Sequence, residues 1–392
     1  MTDRRGNADE VTRVRRVLEG VIGVPATEGN QIDVLRNGDE IFPAMIEAID
    51  QSQHTIDFLT FVYWKGDIGT EFAQHLAKRA QEGVRVRVLL DSYGAHSMEP
   101  ELVGMLDEAG VHVRWFRPLR RFRPGDVNHR THRKIMVVDE ETAFTGGVGI
   151  ADEWKGNARD ECEWRDTHFR IRGPAVDGLR AAFLDNWAET DPVLFADDTD
   201  RFPEQPQPGS AVAQCVRGAA ETGWSDIATM YRTLLQLAQQ RVRVTTAYFV
   251  PDEALTSSLL DAAQRGVEIE ILLPGPHIDK RFVQVASEET FQPLLDAGIK
   301  IWSFQPSMLH AKVMLIDGVI ANIGSANFNA RSTKLDEEIN VVVLSEDLVE
   351  TLNQHFDEDL ARSVQLQPRR WKQRPVPQRL LELIARPLRR FF

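Results

Sequence analysis

Two long stretches of the chain repeat one order of apolar and polar positions. Residues 53–61 (QHTIDFLTF), 82–91 (EGVRVRVLLD) and 106–116 (LDEAGVHVRWF) contain β-branched runs that alternate or stay continuously apolar, as strands buried on one or both faces do. Residues 240–249 (QRVRVTTAYF), 265–274 (RGVEIEILLP) and 295–304 (LDAGIKIWSF) repeat the series. Residues 69–81 and 253–264, between the first and second run of each series, carry apolar residues at helical spacing. Gly83, Gly110, Gly266 and Gly298 each stand where a helix stops and a strand begins. Each half therefore reads strand, helix, strand, helix, strand. That predicts a duplicated α/β chain with a parallel or mixed sheet in each half. A proline-rich, acidic stretch over 192–210 separates them. The predicted division is an N-terminal segment 1–30, a first lobe 31–200, a linker 201–207, a second lobe 208–364 and a tail 365–392.

After its third strand each half carries the same motif. The first is His132-x-Lys134 with Asp139 following, then Gly146 and Gly147; the second is His310-x-Lys312 with Asp317, then Gly324, Ser325 and Asn327. On a strand, residues two apart share a face, so each His projects with its Lys. The Asp lies at an odd offset from the His and is expected to serve the backbone rather than the reacting groups, although it completes the motif. Two imidazoles and two ammoniums suit phosphodiester chemistry. The lysines stabilise charge on the non-bridging oxygens, one neutral His attacks phosphorus, and the other, protonated, supplies the leaving alcohol with a proton. No metal or other cofactor is called for, and no phosphate-cradling loop of the GxxxxGK[ST] type is present.

These residues resemble the phospholipase D superfamily, whose signature is the duplicated HxKxxxxD motif. The flanking stretches NGDEIFPAMIEAI, GVRVRVLLDSYG, NHRTHRKIMVVD, WRDTHFRIRGPAV, YFVPD and GSANFNARS resemble its bacterial cardiolipin synthase branch, in a form without N-terminal membrane spans. The resemblance implies two similar lobes, each a mixed sheet flanked by helices, with the active site at their interface. It implies a covalent phosphohistidine, with His132 as nucleophile and His310 as general acid. It also implies an acid near the end of each half that orients a histidine. By position these are Asp166 and Glu338, with Glu337 the neighbouring alternative. Ser325 and Asn327 are expected to touch substrate, as are Arg130 and Arg133. The first half departs from the pattern, with Gly149 where Asn is expected. The implied activity is phosphatidyl transfer with phosphatidylglycerol as donor. The rivals are phospholipid hydrolysis, phosphodiester cleavage in nucleic acid, and membrane binding without catalysis.

Charge changes the picture of partners. The 392 residues carry a net charge of −13, which excludes a uniformly basic nucleic-acid binder. Two segments run the other way. Residues 114–134 hold eight Lys or Arg against Asp126, beside the first motif, with Trp115, Phe116 and Phe122 among them. Residues 369–392 hold eight against Glu382 and read as a basic amphipathic tail. Both suit an anionic bilayer surface. The expected partners are therefore anionic phospholipids and a membrane surface rather than nucleic acid. Cys162 and Cys215 read as two buried thiols. With no apolar leader or span visible, the expected place is the cytoplasmic side of a membrane, peripherally bound.

Overall fold

The computed structural model describes residues 4–118, 128–191, 202–219, 225–368 and 371, with side chains from residue 11 onward. The first half supplies β1 (Thr27–Arg36), β2 (Thr55–Thr60), β3 (Arg85–Asp91), β4 (His112–Phe116), β5 (Ile135–Val138), β6 (Thr142–Gly146) and β7 (Thr167–Arg172). The second supplies β8 (Ala211–Gly218), β9 (Arg241–Thr245), β10 (Phe249–Val250), β11 (Glu268–Pro274), β12 (Lys300–Phe304), β13 (Val313–Ile316), β14 (Ile320–Gly324), β15 (Phe328–Asn329), β16 (Glu338–Leu344) and β17 (Ser363–Gln365). In the first half the order is β1-β7-β6-β5-β2-β3-β4, and in the second β8-β16-β14-β13-β9-β11-β12-β17. Strands β2, β3 and β4 run parallel, as do β9, β11 and β12, the other neighbours in these two orders pair antiparallel, and β10 pairs parallel with β15 in a separate two-stranded sheet. The halves also join directly, because β1 pairs with β8 at Thr27–Ala213 and Asn30–Ala211.

The continuously apolar strands are explained by what lies on both sides of them. Met136 and Val138 of β5 enter the outer core of the first half, and Ile135 and Val137 enter a layer between the halves. In β13, Met314 and Ile316 face the second half's own core while Val313 and Leu315 face the shared layer. That shared layer also takes apolar residues of the helices Ala175–Ala188 and Glu346–Ala361. Successive side chains on a strand point to opposite faces, so a strand covered on both sides needs no polar alternation.

The N-terminal helix Arg4–Ile22 packs through Val14, Leu18 and Ile22 into the core of the second half. Phe116, expected on a basic rim, is instead fully buried in the shared layer. Cys215 is buried, but Cys162 is exposed. The middle of the first basic segment (119–127), with Phe122, lies outside the described residues, as do residues 369, 370 and 372–392 of the tail. Trp371 packs on Phe291 with ring centroids 5.4 Å apart.

Candidate active site

Each HxK pair lies on extended chain leading into a short strand, β5 or β13. The far end of that strand is held by the motif aspartate. Asp139 stands at φ 51° and accepts the backbone N–H groups of Gln53, His54 and Thr55 at 2.7, 2.7 and 2.9 Å. Asp317, also at φ 51°, accepts those of Gln239, Gln240 and Arg241 at 2.6, 2.8 and 2.8 Å. Both carboxylates therefore fasten the motif strand to the start of its neighbour, β2 or β9. As members of the motif Asp139 and Asp317 count among the expected catalytic residues, but their oxygens are taken up by backbone N–H groups.

The near end is fastened across the halves. His132 N–H donates to the Glu337 carbonyl at 2.8 Å, and Glu337 N–H donates to the Arg130 carbonyl at 2.8 Å. In the mirror arrangement His310 N–H donates to the Arg165 carbonyl at 2.7 Å, and Arg165 N–H to the Met308 carbonyl at 2.8 Å. Each histidine is thus paired in backbone register with the residue just before the other half's acid. The side chains follow. His132 Nδ1 meets both carboxylate oxygens of Glu338 at 3.0 Å, and His310 Nδ1 meets Asp166 Oδ2 at 2.9 Å. Neither half contains a complete His–acid pair, and the docking of the two creates both.

The acids are themselves held. Glu338 is fully buried and accepts the hydroxyls of Ser325 at 2.6 Å and Ser332 at 2.5 Å. Asp166 accepts the Trp154 indole N–H at 2.8 Å and the Thr167 backbone N–H at 2.8 Å. Trp154 and Ser332 were not expected from sequence. The signal was present, since each stands 22 residues after its half's motif histidine.

Three other expectations change. Ser325 is engaged with Glu338 and also accepts the Ile339 N–H, so it orients the acid rather than substrate. Arg130 is buried against the Asp91 carboxylate, with Nε at 3.0 and 3.1 Å from its oxygens. Arg133 is buried among the carbonyls of Ala182, Gly218 and Glu338. These arginines brace the motif segment and are not free to grip substrate, because a buried guanidinium needs its donors satisfied where it lies. Asn327 is buried beside the site, its carboxamide oxygen accepting the Tyr248 N–H at 3.3 Å. At Gly149, a Cβ would fall 2.5 Å from Val62 Cβ, so a side chain there does not fit.

Burial sets the electrostatics. His132 is pushed well below the usual histidine value by desolvation, then by the charges of Lys134, Lys312, Lys280 and Arg331. His310 is lowered to about 4 by desolvation and Lys312, against the pull of Asp166. Desolvation lowers Lys134 to about 8 and Lys312 to about 7. Asp166 is pushed up by burial, but its hydrogen bond to and charge interaction with His310, the charge of Lys312 and the Trp154 N–H together hold it down at about 2. Both shifts favour the neutral imidazole before substrate binds. Lys134 Nζ donates to the His132 carbonyl at 2.9 Å; Lys312 Nζ likewise donates to the His310 carbonyl and also lies 2.9 and 3.1 Å from the two ring nitrogens of His310.

The chain is similar to known proteins over most of its length. The family model described as "Cardiolipin synthase, PLD-like domain" matches residues 45–162 and 231–360. The chain is 32% identical over 387 residues to cardiolipin synthase 1 of Bacillus anthracis, covering 97% of this chain and 76% of that protein. It is 34% identical over 366 residues to a cardiolipin synthase of Geobacillus kaustophilus, covering 93% and 73%. The crystal structure of a phosphatidylserine synthase from Haemophilus influenzae superposes with a TM-score of 0.76 at 16% identity, covering 97% of this chain and 100% of that one. That last likeness establishes the two-lobed fold, and the sequence matches establish more: the chain belongs to the cardiolipin synthase family of phospholipase D-like proteins.

Proposed function

We propose that this protein transfers a phosphatidyl group from phosphatidylglycerol to the headgroup hydroxyl of a second phospholipid through a covalent intermediate on His132. The observation that carries the reading is the pair of imidazoles, each backed by a carboxylate of the opposite half. Glu338 fixes the His132 tautomer by holding a proton on Nδ1, which leaves the lone pair on Nε2 for phosphorus. Among the described residues Nε2 of His132 has no hydrogen-bond partner. His310 is the proton carrier. The phosphodiester brings a negative charge between Lys134 and Lys312, offsetting the cations that depress His310 and letting it take up a proton. The His132 nitrogen then bonds phosphorus as the bond to the glycerol oxygen breaks, and His310 passes its proton to that oxygen. The lysines, with the amide of Asn327, stabilise the developing negative charge. In the second step a hydroxyl attacks, gives its proton to His310, and releases His132.

Among the described residues no helix is long and apolar enough to cross a membrane. Phospholipid substrates make peripheral association with a bilayer the consistent arrangement, on the cytoplasmic side in this reading. Incubating the purified protein with phosphatidylglycerol vesicles and analysing the lipids tests the proposal. Cardiolipin with free glycerol is expected; phosphatidic acid as the dominant product would replace transfer with hydrolysis.

A further inference from the structure

The two histidines do not face the same surroundings. Beside His310 the Tyr248 ring stands edge-on, with centroids 6.5 Å apart. The Tyr248 hydroxyl donates to the Asp279 carboxylate, 2.8 and 2.7 Å from its two oxygens. Lys280 Nζ lies over the same ring, 5.4 Å from its centroid. Asp279 and Lys280 are both exposed. They act electrostatically on the reacting groups, Asp279 on Lys312 and Lys280 on His132.

Among the described residues the first half has no such pair at the matching place. Thr60 Oγ1 donates to the Val62 carbonyl as Thr246 Oγ1 donates to that of Tyr248. Val62 therefore stands where Tyr248 does. Gly149, packed against Val62, stands where Asn327 accepts the Tyr248 N–H. The His132 side carries the Phe61 ring, 5.2 Å away, and the His310 side carries an oriented, solvent-facing carboxylate.

We infer that Asp279, oriented by Tyr248, binds the secondary hydroxyl of a glycerol headgroup on the His310 side and so selects a polyol acceptor over water or a simple alcohol. The inference rests on the transferase reading above. The departing and the arriving alcohol exchange a proton with the same His310, so both occupy the same place. With phosphatidylglycerol as donor and acceptor, both are glycerol units. A carboxylate accepts two hydroxyl hydrogen bonds at once, and charge-assisted bonds are the stronger kind. A site built to bind a hydroxyl discriminates sharply against an analogue that lacks it. In the transfer step the bound acceptor's other hydroxyl oxygen bonds phosphorus. The His132 nitrogen–phosphorus bond breaks with its electron pair returning to nitrogen, and the hydroxyl proton passes to His310. Lys280 is placed to meet the acceptor lipid's own phosphodiester.

The test is a competition. Vesicles containing phosphatidyl-p-nitrophenol are given equal concentrations of glycerol and ethanol, and the ratio of phosphatidylglycerol to phosphatidylethanol is measured. The ratio is independent of how fast the intermediate forms. The wild-type enzyme should favour glycerol, Asp279→Ala should lower the ratio about 10-fold, and Tyr248→Phe should lower it less. An unchanged ratio in Asp279→Ala overturns the inference, as does a wild-type enzyme with no preference for glycerol. Either result would stand even if the wild-type enzyme makes cardiolipin from phosphatidylglycerol vesicles. Absence of cardiolipin there counts against the transferase reading instead.

Discussion

Glu338 and Asp166 perform the same task with different neighbours. Glu338 is longer and is held by two hydroxyls, Ser325 and Ser332. Asp166 is shorter and is held by an indole and a backbone N–H. The difference reaches the glycine pair. Ser325 fits beside Glu338, but a Cβ at the matching Gly147 would fall 2.2 Å from Asp166 Oδ1. A carboxylate accepts whatever donors are offered, so the duplicated site preserves the His–acid geometry while its supports diverge. The lysines diverge too. Each bonds the carbonyl of its own motif histidine, but Lys312 also touches the His310 ring. In the proposed reaction His310 exchanges protons and His132 attacks.

The largest test of this inequality is His132→Ala against His310→Ala. His132→Ala should reduce turnover on the order of 10⁴-fold or more on any donor, because the nucleophile is gone. His310→Ala should recover much of its loss on a donor with a p-nitrophenol leaving group, which departs without a proton. Equal loss in both variants on that donor, measured by nitrophenol release, would invert or abolish the assignment.

Next in size are the crossed acids. Glu338→Gln and Asp166→Asn should each lower kcat by about 10² to 10⁴-fold, in the range of a misoriented or wrong-tautomer histidine. Glu338→Gln should slow nitrophenol release, and Asp166→Asn should mainly slow steps that need a proton moved. Swapped phenotypes would show that each acid serves its own half.

The pH profile sharpens the comparison between the lysines. In the free enzyme Lys312 loses its proton at about 7 and Lys134 at about 8. Rising pH removes the charge that stabilises the phosphoryl oxygens, so kcat/KM should fall across pH 7 to 8. Bound phosphate favours the ammonium forms, so the fall in kcat should lie at higher pH. A flat kcat/KM between pH 6 and 9 would contradict this.

The smallest effect on chemistry belongs to Asp139→Ala and Asp317→Ala. Each removes an acceptor of three backbone N–H groups and should cost about 2 kcal/mol of stability, the scale of a charge-assisted hydrogen bond. Denaturant unfolding reads this directly, while kcat per folded molecule should stay near wild type. A loss of kcat without a loss of stability would return these residues to the chemistry.

Much was legible before any coordinates. The strand and helix periods, the duplication and the HxK pairs are local patterns, and a strand's period or a motif's spacing depends only on nearby residues. The misreadings share a cause. Arg130, Arg133 and Phe116 belong to a basic, aromatic segment, and sequence shows their charge and size but not their burial. Ser325 was read as facing substrate because the motif says it is near the site, not which way its hydroxyl points. Trp154 and Ser332 share an offset from their histidines, yet an indole and a hydroxyl look unrelated until both are seen to donate to an acid.

The two α/β halves and the motif residues His132, Lys134, His310 and Lys312 can be read along the chain, because they are written in local period and repeated spacing. Tertiary structure alone decided that Glu338 serves His132 and Asp166 serves His310. That crossing follows from backbone hydrogen bonds between Glu337 and His132 and between Arg165 and His310, formed between residues more than 140 positions apart. Their separation along the chain says nothing of it, since the contact exists only once the two sheets have buried their shared apolar layer against each other.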